Sequence, residues 1–527
     1  MQFVSAEFIS FVAVLFAAYY LFPKKWQWPM LLAASILFFM LDDWRNGIFI
    51  SITAATTFSA ALWMEKISVT QKSFLLQHKS ELDKQQKKVF KAKMQRKKRS
   101  VLVFGLVLNL GILAVTKYTN FVIDNLNGVL HEGHKLQRFD DLFVPIAISY
   151  YTFQSVSYIV DVYRDKQAAQ RNFFKYTLFV TFFPQMVQGP ISRYGDLGHQ
   201  LCDPHHFDGK VFSFGLMRIL WGYFKKVVVA DRLVTAVITL ASGEEYTGAY
   251  VLMTMLFYGF QLYCDFTGGI DITIGIAQAL GITLAENFDL PYFSKNIREY
   301  WNRWHITMGT WFTDYIFYPI SVSKPMLKLS KYSRTHFGNA VGKRVTVYLS
   351  SFAVWLATGV WHGAAWNFVV WGLVNWAVIM ASQELEPLYD RFHGRFHLRG
   401  KLPYEIFQII RTVLLMSAIR LFDVYRNVPT TFRRFFSMFT TWDWDIFLGG
   451  SMMKLGLASH DYVLLAVCLS IVLGVSLCKV KWGSVRELLY AKKPIFYFSM
   501  GVLFLSILIF GAYGIGFDAS GFIYNQF

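Results

Sequence analysis

Apolar runs separated by short charged clusters recur along the whole chain, and the first four alternate with charge in a regular way. Residues 3–22 are apolar for about the 20 positions that a membrane-spanning helix needs. No basic stretch precedes this run and Pro23-Lys24-Lys25 follows it. It therefore reads as a retained span with the N-terminus outside, not as a removable signal. A second run, 28–41, returns to Asp42-Asp43; a third, 47–64, enters the basic segment 65–100; a fourth, 101–118, leads to 119–141 with Asp124, Glu132, Asp140 and Asp141. Basic ends inside and acidic ends outside satisfy one rule at all four turns. Within the basic loop, 79–99 predicts a charged, solvated amphipathic helix.

After residue 141 the apolar runs lie at about 142–160, 173–190, 211–241, 248–264, 270–284, 345–360, 364–381, 405–421, 461–478 and 495–514. Several are too short to span, and Pro184, Gly189-Pro190 and Gly268-Gly269 interrupt others. Broken helices at membrane depth are tolerated where protein or a water-filled cavity surrounds the freed backbone groups. Residues 142–381 are thus expected to form short, re-entrant or tilted helices around a polar cavity. The charged stretch 383–403 predicts a loop, and 422–460, mixing Trp, Phe, Arg and Asp, predicts an interfacial helix and a loop. The expected architecture is an all-α polytopic membrane protein in one integrated domain. Residues 1–141 supply N-terminal spans, 142–381 a core, and 382–527 C-terminal spans with an interfacial segment. No internal repeat is visible, which weighs against a secondary transporter.

Composition agrees. Of 527 residues 54% are hydrophobic, 18% aromatic and 16% charged, where a soluble domain carries about 25% charged residues. The net charge of +18 is concentrated: between Glu65 and Ser100 twelve basic residues face three acids, giving +9. A basic loop beside spans belongs in the cytoplasm, near anionic lipid headgroups. No recognition motif accompanies the charge, so nucleic acid is not an expected partner. Cys202, Cys264, Cys468 and Cys478 make no CxxC pair and predict neither a disulfide framework nor a zinc site. His205-His206 and the His393/His397 pair lack a carboxylate or cysteine set at ligand spacing, and no metal is expected.

Three stretches carry candidate chemistry. In NIREYWNRWHITMGTWFTDYIFYPI (296–320), Arg298, Asn302 and His305 fall at offsets of four and three, which on a helix share a face. Flanked by Tyr300, Trp301 and Trp304, they fit the lining of a cavity at the membrane interface; the alternative is an interfacial helix with tryptophan anchors. In WLATGVWHGAAWNFVVWG (355–372), His362 is the ionisable group of an otherwise apolar run, a functional candidate by default. Gly359, Gly363, Ala364 and Ala365 leave room for a backbone or a substrate beside it; a neutral, hydrogen-bonded core histidine is the alternative. An imidazole in such a place can act as general base toward a hydroxyl attacking a thioester. A second imidazole, an Asn or a Trp N–H can stabilise the oxyanion. No G-x-S-x-G elbow is present. In the third stretch, 257–289, the intramembrane carboxylates Asp265 and Asp271 read best as structural charge pairs, with Arg298 or Arg303 as possible partners. Gln188 and Arg193, in the turn QGPISRYGDL (188–197), are further lining candidates or part of a structural turn.

Taken together, these stretches resemble the membrane-bound O-acyltransferase family, within it the alginate O-acetyltransferase and teichoic-acid D-alanyl-transfer branch. The resemblance rests on YYTFQSVSYIVDVYR (150–164), FFPQMVQGPISRY (182–194), QLYCDFTGGIDITIG (261–275), REYWNRWHITMGTWFTDYIFYPI (298–320), GVWHGAAWNFVVWG (359–372) and a C-terminal GFIYNQF. It implies a ring of helices around a tunnel, with His362 of the WHG triplet catalytic and His305 at the second polar position. Asn302, Trp304, Arg298, Arg303, Asp314, Trp361, Asn367, Gln188, Arg193 and Asp265 are the expected substrate-binding or tunnel-lining residues. The implied reaction moves acetyl from cytoplasmic acetyl-CoA, with no tightly bound cofactor. The acceptor is an extracellular or cell-wall polysaccharide, reached directly or through an exported partner protein, at a bacterial cell membrane. Thr313 stands where the family pattern has Arg, and Ser321-Val322-Ser323-Lys324 replaces a turn that often carries Gly and Arg; both concern contacts to donor or partner. D-alanyl transfer to teichoic acid and a proton-coupled transporter are the competing readings.

Overall fold

The computed structural model describes residues 3–441 and 443–513, and among these no strand is formed. Two packing units result: Phe3–Phe212 with Ala277–Leu284, and Ser213–Ile276 with the described residues of 285–513. The terminal GFIYNQF lies outside the described residues.

In the first unit the four opening apolar runs form the helices Ala6–Leu21, Gln27–Asp42, Arg45–Gln77 and Lys84–Asn127. The segment expected to be a basic loop is mostly helical: Arg45–Gln77 runs into it and Lys84–Asn127 joins the predicted amphipathic helix to the fourth span. Asp83 starts the latter helix with a capping box, its carboxylate accepting from Gln86 N at 2.6 Å. That reciprocal pair satisfies donors a helix start leaves open, so the lysine-rich run propagates as helix. Lys98 alone among these bases turns inward, 2.9 Å from Asp165. The run 173–190 is broken as expected, into Phe173–Thr181 and Phe183–Gln188. Tyr158, Tyr176 and Tyr194 pack together, and the Thr57 and Tyr176 hydroxyls share a hydrogen bond of 2.8 Å.

In the second unit the predicted break at Gly268-Gly269 is absent. Ala249–Ala279 is one helix. The glycines serve packing instead: a Cβ on Gly268 would lie 2.8 Å from the Gly222 carbonyl, and one on Gly222 2.6 Å from that of Gly268. Gly275 meets the Gly215 carbonyl in the same way. The helical stretch from Gly209 to Ser242 passes through a π-helical turn, Phe224–Ala230, that carries Lys225 and Lys226. A second correction concerns 383–403, where Glu386–Phe396 is a helix bent 51° from Trp366–Glu384, with Pro387 in its first turn. Lys324–His362 is longer than its apolar run, kinked at Gly338 with φ 87°. Among the described residues, four helices are long and apolar enough to cross a membrane: Arg45–Gln77, Lys84–Asn127, Ser459–Trp482 and Lys493–Phe510. Far fewer than the apolar runs of the sequence pass this test, because many central helices are short or carry ionisable groups.

Candidate active site

The segment around His305 is not the continuous helix that the spacing suggested. Ile297–Arg303 ends, Trp304 turns to extended geometry, and His305 takes a left-handed conformation (φ 48°, ψ 52°) ahead of Ile306–Phe312. Such φ values are uncommon outside glycine, and His is among the residues that tolerate them. Asn287 makes the break possible. Its carbonyl oxygen accepts from Thr307 N at 3.1 Å and from the Thr307 hydroxyl at 2.9 Å, and lies 3.2 Å from His305 Nδ1. Its main-chain carbonyl accepts from Ile306 N at 3.0 Å, and an isolated antiparallel bridge joins Phe288 to Trp304. One side chain thus satisfies the start of the second helix and fixes the imidazole beside it.

Around this break lies a cavity of about 370 Å³. Arg298, Asn302, Trp304 and His305 line it together with Trp301, Trp355 and Thr358. Arg298 and Asn302 are exposed, whereas Trp304 and His305 are buried. The three polar residues therefore meet at one cavity although the helix they were assigned to ends before His305.

His362 is the last residue of Lys324–His362 and is buried. Its ring packs edge-on to Trp371 at 4.6 Å and to Trp361 at 5.0 Å, and Trp361 in turn stands 6.1 Å from the His305 ring. Both imidazoles thus pack against one indole. His362 is not among the residues lining the cavity; Thr358, one turn earlier, is. The expected space beside His362 is occupied by backbone and by the Phe368 ring. A Cβ on Gly359 would lie 2.5 Å from the Phe368 carbonyl, one on Gly363 2.3 Å from the Phe368 ring, and one on Gly372 2.4 Å from the Trp355 carbonyl. These glycines bring Trp366–Glu384 against the histidine helix.

Arg420, which the motifs did not single out, is the hub of this region. Its guanidinium carbon lies 4.9 Å from the Trp304 ring, 5.5 Å from Trp371 and 5.9 Å from Trp301, with Asp423 at 3.2 Å. Arg420 and Asp423 are both buried. Asn367 donates to the Phe422 carbonyl at 3.0 Å, tying the start of Trp366–Glu384 to the same turn.

The other expected lining residues lie elsewhere. Arg303 pairs with Glu299 at 2.8 Å, and Asp314 sits in the π-helical turn Thr313–Phe317 without lining the cavity. Asp265 is 2.7 Å from Lys226, and Asp271 lies between Lys225 at 2.6 Å and Arg218 at 2.8 Å. Both carboxylates are in charge pairs, with residues of the π-helical turn and of Gly209–Tyr223 instead of Arg298 or Arg303. Gln188, buried, and Arg193, half-buried, belong to the first unit. His205 exchanges main-chain hydrogen bonds with the Gln27 side chain, and His393 Nε2 contacts the Tyr404 hydroxyl at 2.8 Å.

Residues 36–337 match the sequence profile of the membrane-bound O-acyltransferase family. A probable alginate O-acetylase of Pseudomonas syringae pv. tomato is 31% identical over 355 residues, 66% of this chain and 61% of that relative. A peptidoglycan O-acetyltransferase of Helicobacter pylori is 33% identical over 301 residues, 52% of this chain and 53% of that protein. A teichoic acid D-alanyltransferase of Bacillus subtilis is 29% identical over 244 residues, 45% and 57% of the two chains. The chain spans 61% to 66% of the length of the first three alginate O-acetylases it matches.

Proposed function

The chain belongs to the membrane-bound O-acyltransferase family, and from that premise we propose that it is a multi-pass membrane enzyme that O-acetylates an extracellular or cell-wall polysaccharide. The observation that carries this reading is the pair of imidazoles, His305 and His362, both packed against Trp361, with His305 lining a cavity that has polar residues at its wall. His362 acts as general base. As the acceptor hydroxyl attacks the carbonyl carbon of the thioester, its proton passes to the imidazole; the new C–O bond forms, the C–S bond breaks, and the proton leaves with the thiolate. His305, its ring fixed by Asn287, is placed to stabilise the developing oxyanion. No acyl-enzyme is needed, since holding donor and acceptor together supplies the remaining advantage. Arg298 and Asn302 bind substrate at the cavity wall. The donor is acetyl-CoA on the cytoplasmic side, with the basic segment 65–100 on that side and the N-terminus opposite. Delivery through an exported partner protein is part of the same reading, as is residence in a bacterial cell membrane.

Two kinds of relative, O-acetylating and D-alanyl-transferring, leave one chemical choice to measure. Mass spectrometry of the purified polymer from cells with and without the gene separates an acetyl from a D-alanyl increment. In liposomes carrying the purified protein and labelled acetyl-CoA, label is expected to move to a polysaccharide acceptor. Unchanged transfer by His362→Ala would remove the catalytic assignment.

A further inference from the structure

A second cavity, about 690 Å³, lies in the second unit away from the histidines, within the size range of small-molecule sites. One side of its wall comes from Ser459–Trp482 and Lys493–Phe510, two of the helices able to cross a membrane. Other side chains of these helices, such as Val467, Leu473, Phe504 and Leu508, are exposed, so lipid surrounds them. Most of the cavity wall is apolar, and its charged residues are four cations, Arg218, Lys225, Lys479 and Arg486, against two carboxylates, Asp271 and Glu286, a lining excess of two. Arg218 and Lys225 are engaged with those two carboxylates at 2.6–2.8 Å. Lys479 pairs with Asp289 at 3.2 Å in a half-exposed contact, a kind worth little free energy. Arg486 donates to the Phe214 carbonyl at 3.0 Å and lies over the Phe214 ring. The last turn of Ser459–Trp482, the short helix Val485–Tyr490 and the start of Lys493–Phe510 together hold Lys479, Lys481, Arg486, Lys492 and Lys493 against Glu487. By the positive-inside rule this is the cytoplasmic headgroup level, where anionic lipids concentrate.

We propose that this cavity binds one anionic phospholipid, its phosphate at Arg486 and Lys479 and an acyl chain along Trp221, Val475, Phe498 and Val502. The planar guanidinium of Arg486 matches phosphate geometry, Lys479 adds a flexible ammonium, and the apolar wall beyond them takes the chain. A water-soluble phosphate compound would leave that wall hydrated, whereas a lipid covers both parts. This site does not depend on the reading of the reaction.

Native mass spectrometry of the full-length protein in detergent tests it, with phosphatidylglycerol and phosphatidylcholine of the same chains as probes. The wild type is expected to retain one phosphatidylglycerol with about a tenfold preference, equivalent to ~1.4 kcal/mol. Arg486→Gln with Lys479→Gln should bring the preference close to one, and Val475→Trp should reduce retention of both lipids. Lys479→Gln alone, at a half-exposed position, should lower the preference if the double variant does not fold. Equal retention of both lipids by the wild type, or an undiminished preference in the glutamine variants, overturns the proposal. Displacement of the lipid by equimolar inorganic phosphate or acetyl-CoA also overturns it, assigning the cavity to a soluble phosphate ligand.

Discussion

His305 has two separable duties, because its backbone holds a left-handed turn while its ring faces the cavity. Asn tolerates that conformation, whereas a β-branched residue is strained there. His305→Asn is therefore expected to keep its melting temperature in detergent within a few degrees while acetyl transfer falls by about 10²-fold or more. His305→Val should lose both. If the Asn variant is as active as wild type, the ring has no chemical part. Asn287 belongs to the same argument. Replacing it with Ala strips the shared acceptor from the Thr307 amide and hydroxyl. With those donors buried, a loss of about 1–3 kcal/mol in stability is expected, measurable as a lower unfolding midpoint. Neither Asn287 nor Arg420 was legible from the motifs, since each acts across 18 residues or more of chain: Asn287 to His305, Arg420 to the tryptophans of 301–371. Arg420 did leave a signal, a charged residue inside the apolar run TVLLMSAIRLFDVY with Asp423 three residues on. An intramembrane cation with an acid at helical spacing is a site candidate on physical grounds alone.

Helices explain why the glycines misled at Gly268-Gly269 but the broken run at Pro184 did not. Proline removes a backbone donor and clashes with the preceding turn, so its effect is local and readable. A glycine in an apolar run either interrupts a helix or lets another approach, and only the neighbour decides. Here Gly222 and Gly268 each face the other's carbonyl. Gly268→Ala must then push two helix backbones apart, and its melting temperature is expected to drop clearly. Gly474→Ala, in Ser459–Trp482 where a new Cβ meets nothing within 4 Å, should be neutral or stabilising by up to about 1 kcal/mol from helix propensity. Equal behaviour of the two variants would show that the close approach carries no stability. The same dependence on neighbours applies to Asp265 and Asp271. Their charge alone called for basic partners, yet Arg298 and Arg303, close in sequence, turned elsewhere, and Lys226, Lys225 and Arg218 took the role. The basic segment 65–100 was readable as to charge but not as to form, because a capping box at Asp83 turns most of a loop into helix.

Charge and length together give the expected orientation of the molecule. Lys84–Asn127 has 44 residues, hence a length of about 66 Å, against a hydrocarbon core of about 30 Å. Its apolar part, 101–118, is enough to cross, so the remainder must project. The projecting N-terminal end, 84–99, carries nine Lys or Arg residues, all exposed except the half-buried Lys87 and the buried Lys98. Translocating such a segment is disfavoured, and by the rule for positive loops it is expected in the cytoplasm, with the stretch after Asn127 expected outside. In a background with Cys202→Ser and Cys478→Ser, where Cys264 and Cys468 are buried, single cysteines report this directly. Gln86→Cys should react with a membrane-impermeant maleimide in inside-out vesicles and stay unlabelled in intact spheroplasts. His131→Cys should show the opposite pattern. Reversed labelling would put the basic helix outside, and then a cytoplasmic thioester donor could no longer be taken from the side bearing the basic helix. The choice of side is thus tied to the proposed chemistry, in which a CoA thioester is taken from the cytoplasm, polysaccharide hydroxyls lie beyond the membrane, and the acyl group crosses between them.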